Sequence, residues 1–255
     1  VLGLICETSS LDCAQSMYIW KALLNWAARP TVGGDMNILG VDIGGTNLKF
    51  RTQQQEEIIK VPSGPKMTPE VMMSAIKKRT AGWKYDRVSV GFPGPVIHDK
   101  PLLEPHNLGP GWVHFDFKKA FGNKPLKFLN DAAMQAMGSY KGGRMLYLGL
   151  GTGLGSAMVV DGAVQAMELA HLPWRKQKTY EDYLGKAGLG RDGRKKWEKN
   201  VLKVIDLMST AMETDYVVLG GGNAKLITKL PDKVFLGSND NAFKGAFMLW
   251  KHEKT

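Results

Sequence analysis

Cysteine is nearly absent from this chain. Two of its 255 residues are Cys, at 6 and 13, too few and too close together to staple a fold of this length or to complete a Cys/His metal set. That usage predicts a reducing, cytoplasmic setting and no structural zinc. No apolar run reaches 18 residues, so no membrane-spanning helix is expected. No GxxxxGK[ST] occurs, which excludes a P-loop. Acidic residues are scarce beside basic ones, 24 against 34, for a net charge of +10.

What remains is ordinary for a soluble globular protein: 44% hydrophobic and 23% charged residues. The length suits one large domain or two smaller lobes with a real core. The excess positive charge is concentrated. Residues 171–203 hold ten Lys/Arg and four Asp/Glu. Such a segment is either a solvated, lysine-rich helix face or a surface that meets a polyanion. Residues 1–36 read as an N-terminal extension outside the core, with Met36 standing just before the first strand as a native start.

Strands and helices alternate. Short apolar runs at Ile38–Ile43, Arg87–Gly91, Pro125–Asn130, Met145–Leu150 and Asp215–Leu219 read as buried strands. Leu48–Arg51, Glu57–Val61, Gly155–Val160 and Gly162–Met167 follow as hairpin partners. Thr68-Pro69 opens a helix with Thr as cap and Pro at its first position. Asp131–Tyr140, Asn223–Lys229 and Asn241–Trp250 read as helices. Trp197, Val201, Val204, Ile205, Met208 and Met212 mark the buried face of another. Residues 93–112, rich in Pro and Gly, form a long loop of the kind that carries function. The order strand, glycine turn, hairpin strand, helix, strand occurs twice. It predicts an α/β fold of two duplicated lobes, mixed sheets flanked by helices with a cleft between them. The lobes span 37–135 and 136–255, and the last helix packs back on the first lobe.

Three glycine turns follow strands, and each has a plain reading beside a chemical one. Asp42-Ile43-Gly44-Gly45-Thr46-Asn47 is either a tight hairpin or a turn whose backbone amides approach a phosphate, with Asp42 facing the phosphates or a Mg²⁺-bound water. Glycines at 149, 151, 153 and 155 do not have dinucleotide GxGxxG spacing. They make either a bulged hairpin or a phosphate-embracing turn around Gly151, Thr152 and Gly153. Gly220-Gly221-Gly222 joins a strand to a helix, where Asn223 is a cap or the helix N-terminus favours an anion. Asn130 and Asp131 open a helix, so they are capping residues, and a carboxylate there can also take a hydroxyl proton. Asn107 lies in the long loop. Glu168 and His171 stand three residues apart.

Seven stretches occur in one order: DIGGTN (42–47), GFPGPV (91–96), NLGPGW (107–112), LND (129–131), GTGLGS (151–156), ELAH (168–171) and LGGGNA (219–224). Together they resemble the ROK sugar-kinase family, within the actin/hexokinase/heat-shock ATPase superfamily of ribonuclease-H-like lobes, over about residues 37–250. The resemblance implies a kinase that moves a phosphoryl group from ATP or inorganic polyphosphate to the 6-hydroxyl of glucose or a related hexose, with Mg²⁺. It implies Asp131 as general base, and Asn107, Asn130, Glu168, His171 and, more loosely, Glu181 as sugar-binding residues. It assigns Asp42, Gly44, Gly45, Thr46 and Asn47 to the first phosphate motif, Gly151, Thr152 and Gly153 to the second, and Gly220, Gly221 and Gly222 to the adenosine side. The family's zinc motif of one His and three Cys is missing, and Ala170 stands where Gly is usual. The compact segment Tyr180–Val201 is similar to the polyphosphate-dependent glucokinase branch, which points to Arg191, Arg194, Lys195, Lys196 and Lys199 as polyphosphate contacts. A homodimer is expected by analogy, with no nucleic-acid or membrane partner. Two other readings stay open at this stage: a sugar-responsive regulator of the same family and a non-catalytic sugar binder.

Overall fold

The computed structural model describes residues 36–238 and 240–251. The expectations about residues 1–35, including Cys6 and Cys13, lie outside the described residues.

Two five-stranded sheets carry the fold, and each has the same plan. The first is built from β1 (Ile38–Ile43), β2 (Asn47–Thr52), β3 (Ile59–Pro62), β4 (Arg87–Phe92) and β7 (Leu126–Asn130), in the order β3-β2-β1-β4-β7. The second uses β8 (Arg144–Leu150), β9 (Leu154–Val160), β10 (Ala163–Met167), β13 (Tyr216–Gly220) and β14 (Val234–Leu236), in the order β10-β9-β8-β13-β14. In each, three strands form an antiparallel meander and two more add in parallel beside the first. Burial follows the pairing. β1 is central, and all six of its residues are buried. β2 alternates half-buried and buried, as a strand with one wet face must.

Helix α1 (Pro69–Arg79) opens where Thr68 and Pro69 predict, and Thr68 Oγ1 accepts from Val71 N at 3.4 Å. The loop 93–112 contains a two-stranded ribbon, β5 (Val96–Ile97) with β6 (Lys100–Pro101), which its Pro/Gly content concealed. Its far end is anchored by Trp112, fully buried against Phe92 with ring centroids 5.5 Å apart. The Trp112 indole donates to Gly109 O at 2.6 Å. The Glu104 carboxylate accepts from Trp112 N and Val113 N at 3.1 Å each. These contacts hold the loop that presents Asn107. A four-residue helix α2 (Phe117–Ala120) completes this half, with Phe117 4.6 Å from Phe128.

Beyond the second sheet's hairpin lie a small ribbon, β11 (Pro173–Arg175) with β12 (Lys178–Thr179), a short helix α4 (Tyr180–Leu184) and the long α5 (Lys186–Ala211). Trp197, Val201, Val204, Ile205 and Met208 are buried on α5 as their spacing predicts. The helix also starts earlier than that stripe and breaks at Gly193, whose φ of 71° only glycine adopts freely.

Helix α3 (Asp131–Ser139) lies between the sheets. Ala132, Ala133, Ala136 and Met137 join Tyr147, Ala157, Val159 and Val218 in one core, while Met134 packs with the last helix, α6 (Asn241–Met248). A helix buried nearly all round needs small residues where neighbours press closest. At Gly138 an added methyl would meet Asn241 O, and at Gly245 it would meet Met134 O. From α6 the chain reaches back to the first sheet: Ser89 Oγ donates to Ala246 O at 2.7 Å, and the Trp250 indole donates to Ser89 Oγ at 2.7 Å.

Candidate active site

Asp131 is the first residue of α3, at the end of β7. Asn130 places it there by capping the helix, its Oδ1 accepting from Ala132 N at 2.8 Å and Ala133 N at 3.3 Å. The Asn130 amide donates to Gly94 O at 3.1 Å, which ties the GFPGP turn to the helix start and leaves one N–H for a ligand. Asp131 as a whole is half-buried. Its pKa is pushed up to about 7, first by desolvation, then by the Asp42 charge, and less by Glu168; the bond from Ala132 N opposes this. Three carboxylates therefore face one space, from β1, α3 and the turn after β10.

The first glycine turn closes at the end of β1, with Gly44 N donating to Asn47 O at 3.0 Å. Ser63 clamps it from β3's side: its hydroxyl donates to Gly44 O at 2.5 Å and its N–H to Thr46 O at 3.0 Å. A methyl on Gly45 would come within 3.0 Å of Asn107 Cβ, so the exposed Asn107 sits at the lip of this turn. Asp42 is 8% exposed and pairs with Lys49 Nζ at 3.0 Å. Lys49 and Ser63 are site residues that motif reading missed. For Lys49 a signal existed, because hairpin register sets it directly opposite Asp42.

The second turn reaches helix α3 itself. A methyl on Gly155 would lie 2.9 Å from Ala132 Cβ, so glycine there lets the hairpin abut the residue after Asp131. Gly151 N donates to Gly153 O at 3.1 Å, and Lys186 N, at the start of α5, donates to Thr152 O at 3.0 Å. Glu181, expected on the sugar, has one carboxylate oxygen against this turn: it accepts from Leu154 N at 3.1 Å and fills the space a side chain at Gly153 would need. Its other oxygen makes no hydrogen bond among the described residues.

The third turn corrects an expectation. No helix runs over Asn223–Lys229; the segment is a single 3₁₀ turn, Ala224–Leu226. Gly221 has φ 79°, and a side chain there would strike the Leu150 carbonyl; Asn223 spends its side chain on Gly151 O at 3.0 Å instead of capping. The helix-terminus argument for an anion at Gly220–Gly222 therefore falls. Glycine is required at 220 because a methyl would strike the Tyr147 hydroxyl, which donates to Gln135 Oε1 of α3 at 2.6 Å. This turn braces the second hairpin and helix α3.

Glu168 and His171 stand 3.7 Å apart at the exposed rim, and burial raises the Glu168 pKa against the lowering by His171. Of the five basic candidates on α5, three are engaged locally. Arg191 and Lys196 both hold Asp192, at 2.8 and 3.1 Å, and Arg194 donates to Leu226 O at 2.9 Å. Lys195 and Lys199 are exposed, one helical turn apart, with no ion pair recorded among the described residues.

The ROK family model matches residues 38–168, from the first strand to Glu168. The chain belongs to the ROK family. Among ROK relatives, N-acetylmannosamine kinase of Shigella flexneri is 31% identical over 143 residues, half of this chain and 48% of the relative. The chain thus spans about half the length of the first curated relatives it matches. Polyphosphate glucokinase of Mycobacterium tuberculosis (strain ATCC 25618 / H37Rv) is 24% identical over 211 residues, 74% of this chain and 79% of the relative. The inorganic polyphosphate/ATP-glucomannokinase of Arthrobacter sp. strain KM shares the ROK fold, with a TM-score of 0.71 at 23% identity over 86% of this chain and all of that one. The family and fold expected from the seven motifs are therefore both found.

Proposed function

We propose that this protein transfers a phosphoryl group from polyphosphate or ATP to the 6-hydroxyl of glucose or a close hexose. The observation that carries the reading is Asp131: a carboxyl with a pKa near 7, at the start of a helix that the second glycine hairpin touches. A base of that strength is matched to a hydroxyl proton at neutral pH. Asn107, the free N–H of Asn130, Glu168, His171 and the second oxygen of Glu181 offer hydrogen bonds to sugar hydroxyls around it. The amides of Gly45 and Thr46 in the first turn and of Thr152 and Gly153 in the second, which those turns do not use internally, hold the donor phosphates. Catalysis is then mostly positioning and electrostatics.

Among the described residues no three His, Cys, Asp or Glu side chains gather as a metal cage. A Mg²⁺ held mainly by water and donor phosphates needs only one or two carboxylates, and Asp42, with Asp131 nearby, fits that demand. When bound it would offset charge developing on the transferred group. A coupled assay with glucose and each donor tests the reading, and no product with either donor would end it.

Two expected results follow from the site's charges. Asp42→Asn removes the second-largest cause of the raised Asp131 pKa. The acidic limb of kcat/KM should then move to lower pH even as the maximum drops, and an unmoved limb would separate the two carboxylates. For the donor, the basic segment starts at the second hairpin through Lys186 and touches the third turn through Arg194. Lys195→Gln with Lys199→Gln should therefore weaken polyphosphate use more than ATP use, with the difference shrinking as salt rises. Equal losses with both donors would argue against a polyanion track there.

A further inference from the structure

Two adjoining cavities lie away from Asp131, at the opposite end of the same strands. One, about 510 Å³, is lined by Lys77, Lys84 and Lys124 with Trp83, Tyr85 and Asp86. The other, about 210 Å³, is lined by Asn37, Gln54 and Gln55, and shares Trp83 and Lys84 with the first. Asn37 precedes β1, Asp86 precedes β4 and Lys124 precedes β7, whereas Asp42, Gly91 and Asp131 stand at those strands' far ends. Five residues of strand separate the two places by roughly 17 Å.

The linings differ in chemistry. The larger cavity carries three ammonium groups and one carboxylate. That carboxylate already accepts from Asn37 N at 3.1 Å, and Lys124 Nζ sits 5.4 Å from the Tyr85 ring centre. The smaller cavity is walled by amides and the Trp83 ring, which is held edge-on to Phe50 at 6.5 Å. Asn37 is 6% exposed and its Oδ1 has no hydrogen-bond partner, although its Nδ2 donates to Gln54 Oε1 at 3.2 Å and to Lys84 O. An aromatic face and the side-chain amides of Gln54 and Gln55 suit the hydroxyls and C–H faces of a polyol. The three lysines beside them suit a phosphate.

We infer that the joined cavities form a second ligand site, separate from the catalytic cleft, for a small phosphorylated polyol such as a sugar monophosphate. The phosphate lies among Lys77, Lys84 and Lys124, and the hydroxyl-bearing part lies over Trp83 toward Asn37. Lys77 and Lys84 are exposed and Lys124 is half-buried, so binding is modest and weakens with salt.

The test is calorimetric titration of the full chain with glucose 6-phosphate in saturating glucose, which blocks the sugar position of the cleft. One saturable equivalent is expected. Lys77→Gln with Lys124→Gln should weaken it about tenfold or more while leaving basal turnover unchanged. Trp83→Leu should weaken it too. Inorganic phosphate alone should bind more weakly than the sugar phosphate. No saturable binding, or binding untouched by the lysine changes, would overturn the site. Equal affinity for inorganic phosphate would overturn its polyol half. The site does not depend on hexose turnover, so failure of the proposed kinase activity would leave this test standing.

Discussion

Asp131→Asn should lower kcat by two to four orders of magnitude and, at pH 8, make the protein harder to melt. Both effects have one cause. Desolvation and the Asp42 charge raise this carboxyl from 3.8 to about 7, so the folded state binds its proton more tightly than the unfolded chain does. Stability from this group is complete below the unfolded value, falls as pH rises from about 4 to 7, and stays lost above that. Asparagine keeps the acceptor for Ala132 N and carries no charge to desolvate. Its melting temperature should therefore exceed the wild type by several degrees at pH 8, since each kcal/mol is worth roughly 2–4 °C in a chain of this size. The gain should shrink toward pH 4. In the wild type, kcat/KM should fall as pH drops below about 7, where the base becomes protonated. A variant that melts earlier at pH 8, or a gain independent of pH, would show that Asp131 is not the desolvated base.

Gly245→Val should be the most damaging single change to stability. A methyl at 245 would overlap Met134 O, and the facing Gly138 would overlap Asn241 O. Both obstacles are backbone atoms, which cannot swing aside as a side-chain tip can. The two helices would have to separate, and with them Asn241 Nδ2 would leave Ser139 Oγ, a buried bond of 2.7 Å. Overpacking of this kind costs about 1–3 kcal/mol, and more where the backbone cannot shift. The expected outcome is loss of soluble protein, or a drop in melting temperature of about 5 °C or more. Ser209→Val, at a half-buried turn of α5 far from the crossing, serves as the comparison. Equal melting of the two variants would refute the tight crossing.

Much of this architecture is readable from residue order. Apolar runs ending in glycine, such as Ile38–Gly44, locate central strands because only buried strands tolerate such runs. The duplicated order then gives two sheets with one topology. Asp131 is legible because Asn and Asp together mark a helix start. What local pattern cannot show is contact between distant segments. Gly155 looks like one more hairpin glycine until Ala132 is seen against it. Asn223 has every local mark of a cap, yet its amide is claimed by Gly151 from 72 residues away, and the expected helix shrinks to one turn. The basic run at 191–199 reads as one patch, although Asp192 neutralises two of its members from within. Electrostatic partners four residues apart on a helix are visible in principle; what hides this one is the break at Gly193.

The bond from Ser89 to Ala246 spans 157 residues. During vectorial synthesis the ribosome delivers β4 long before the helix that covers it, so the underside of the early sheet must wait, bare, for the late segment. Sequence separations of this size slow folding, and nascent chains halted before residue 241 should be the species that chaperones hold.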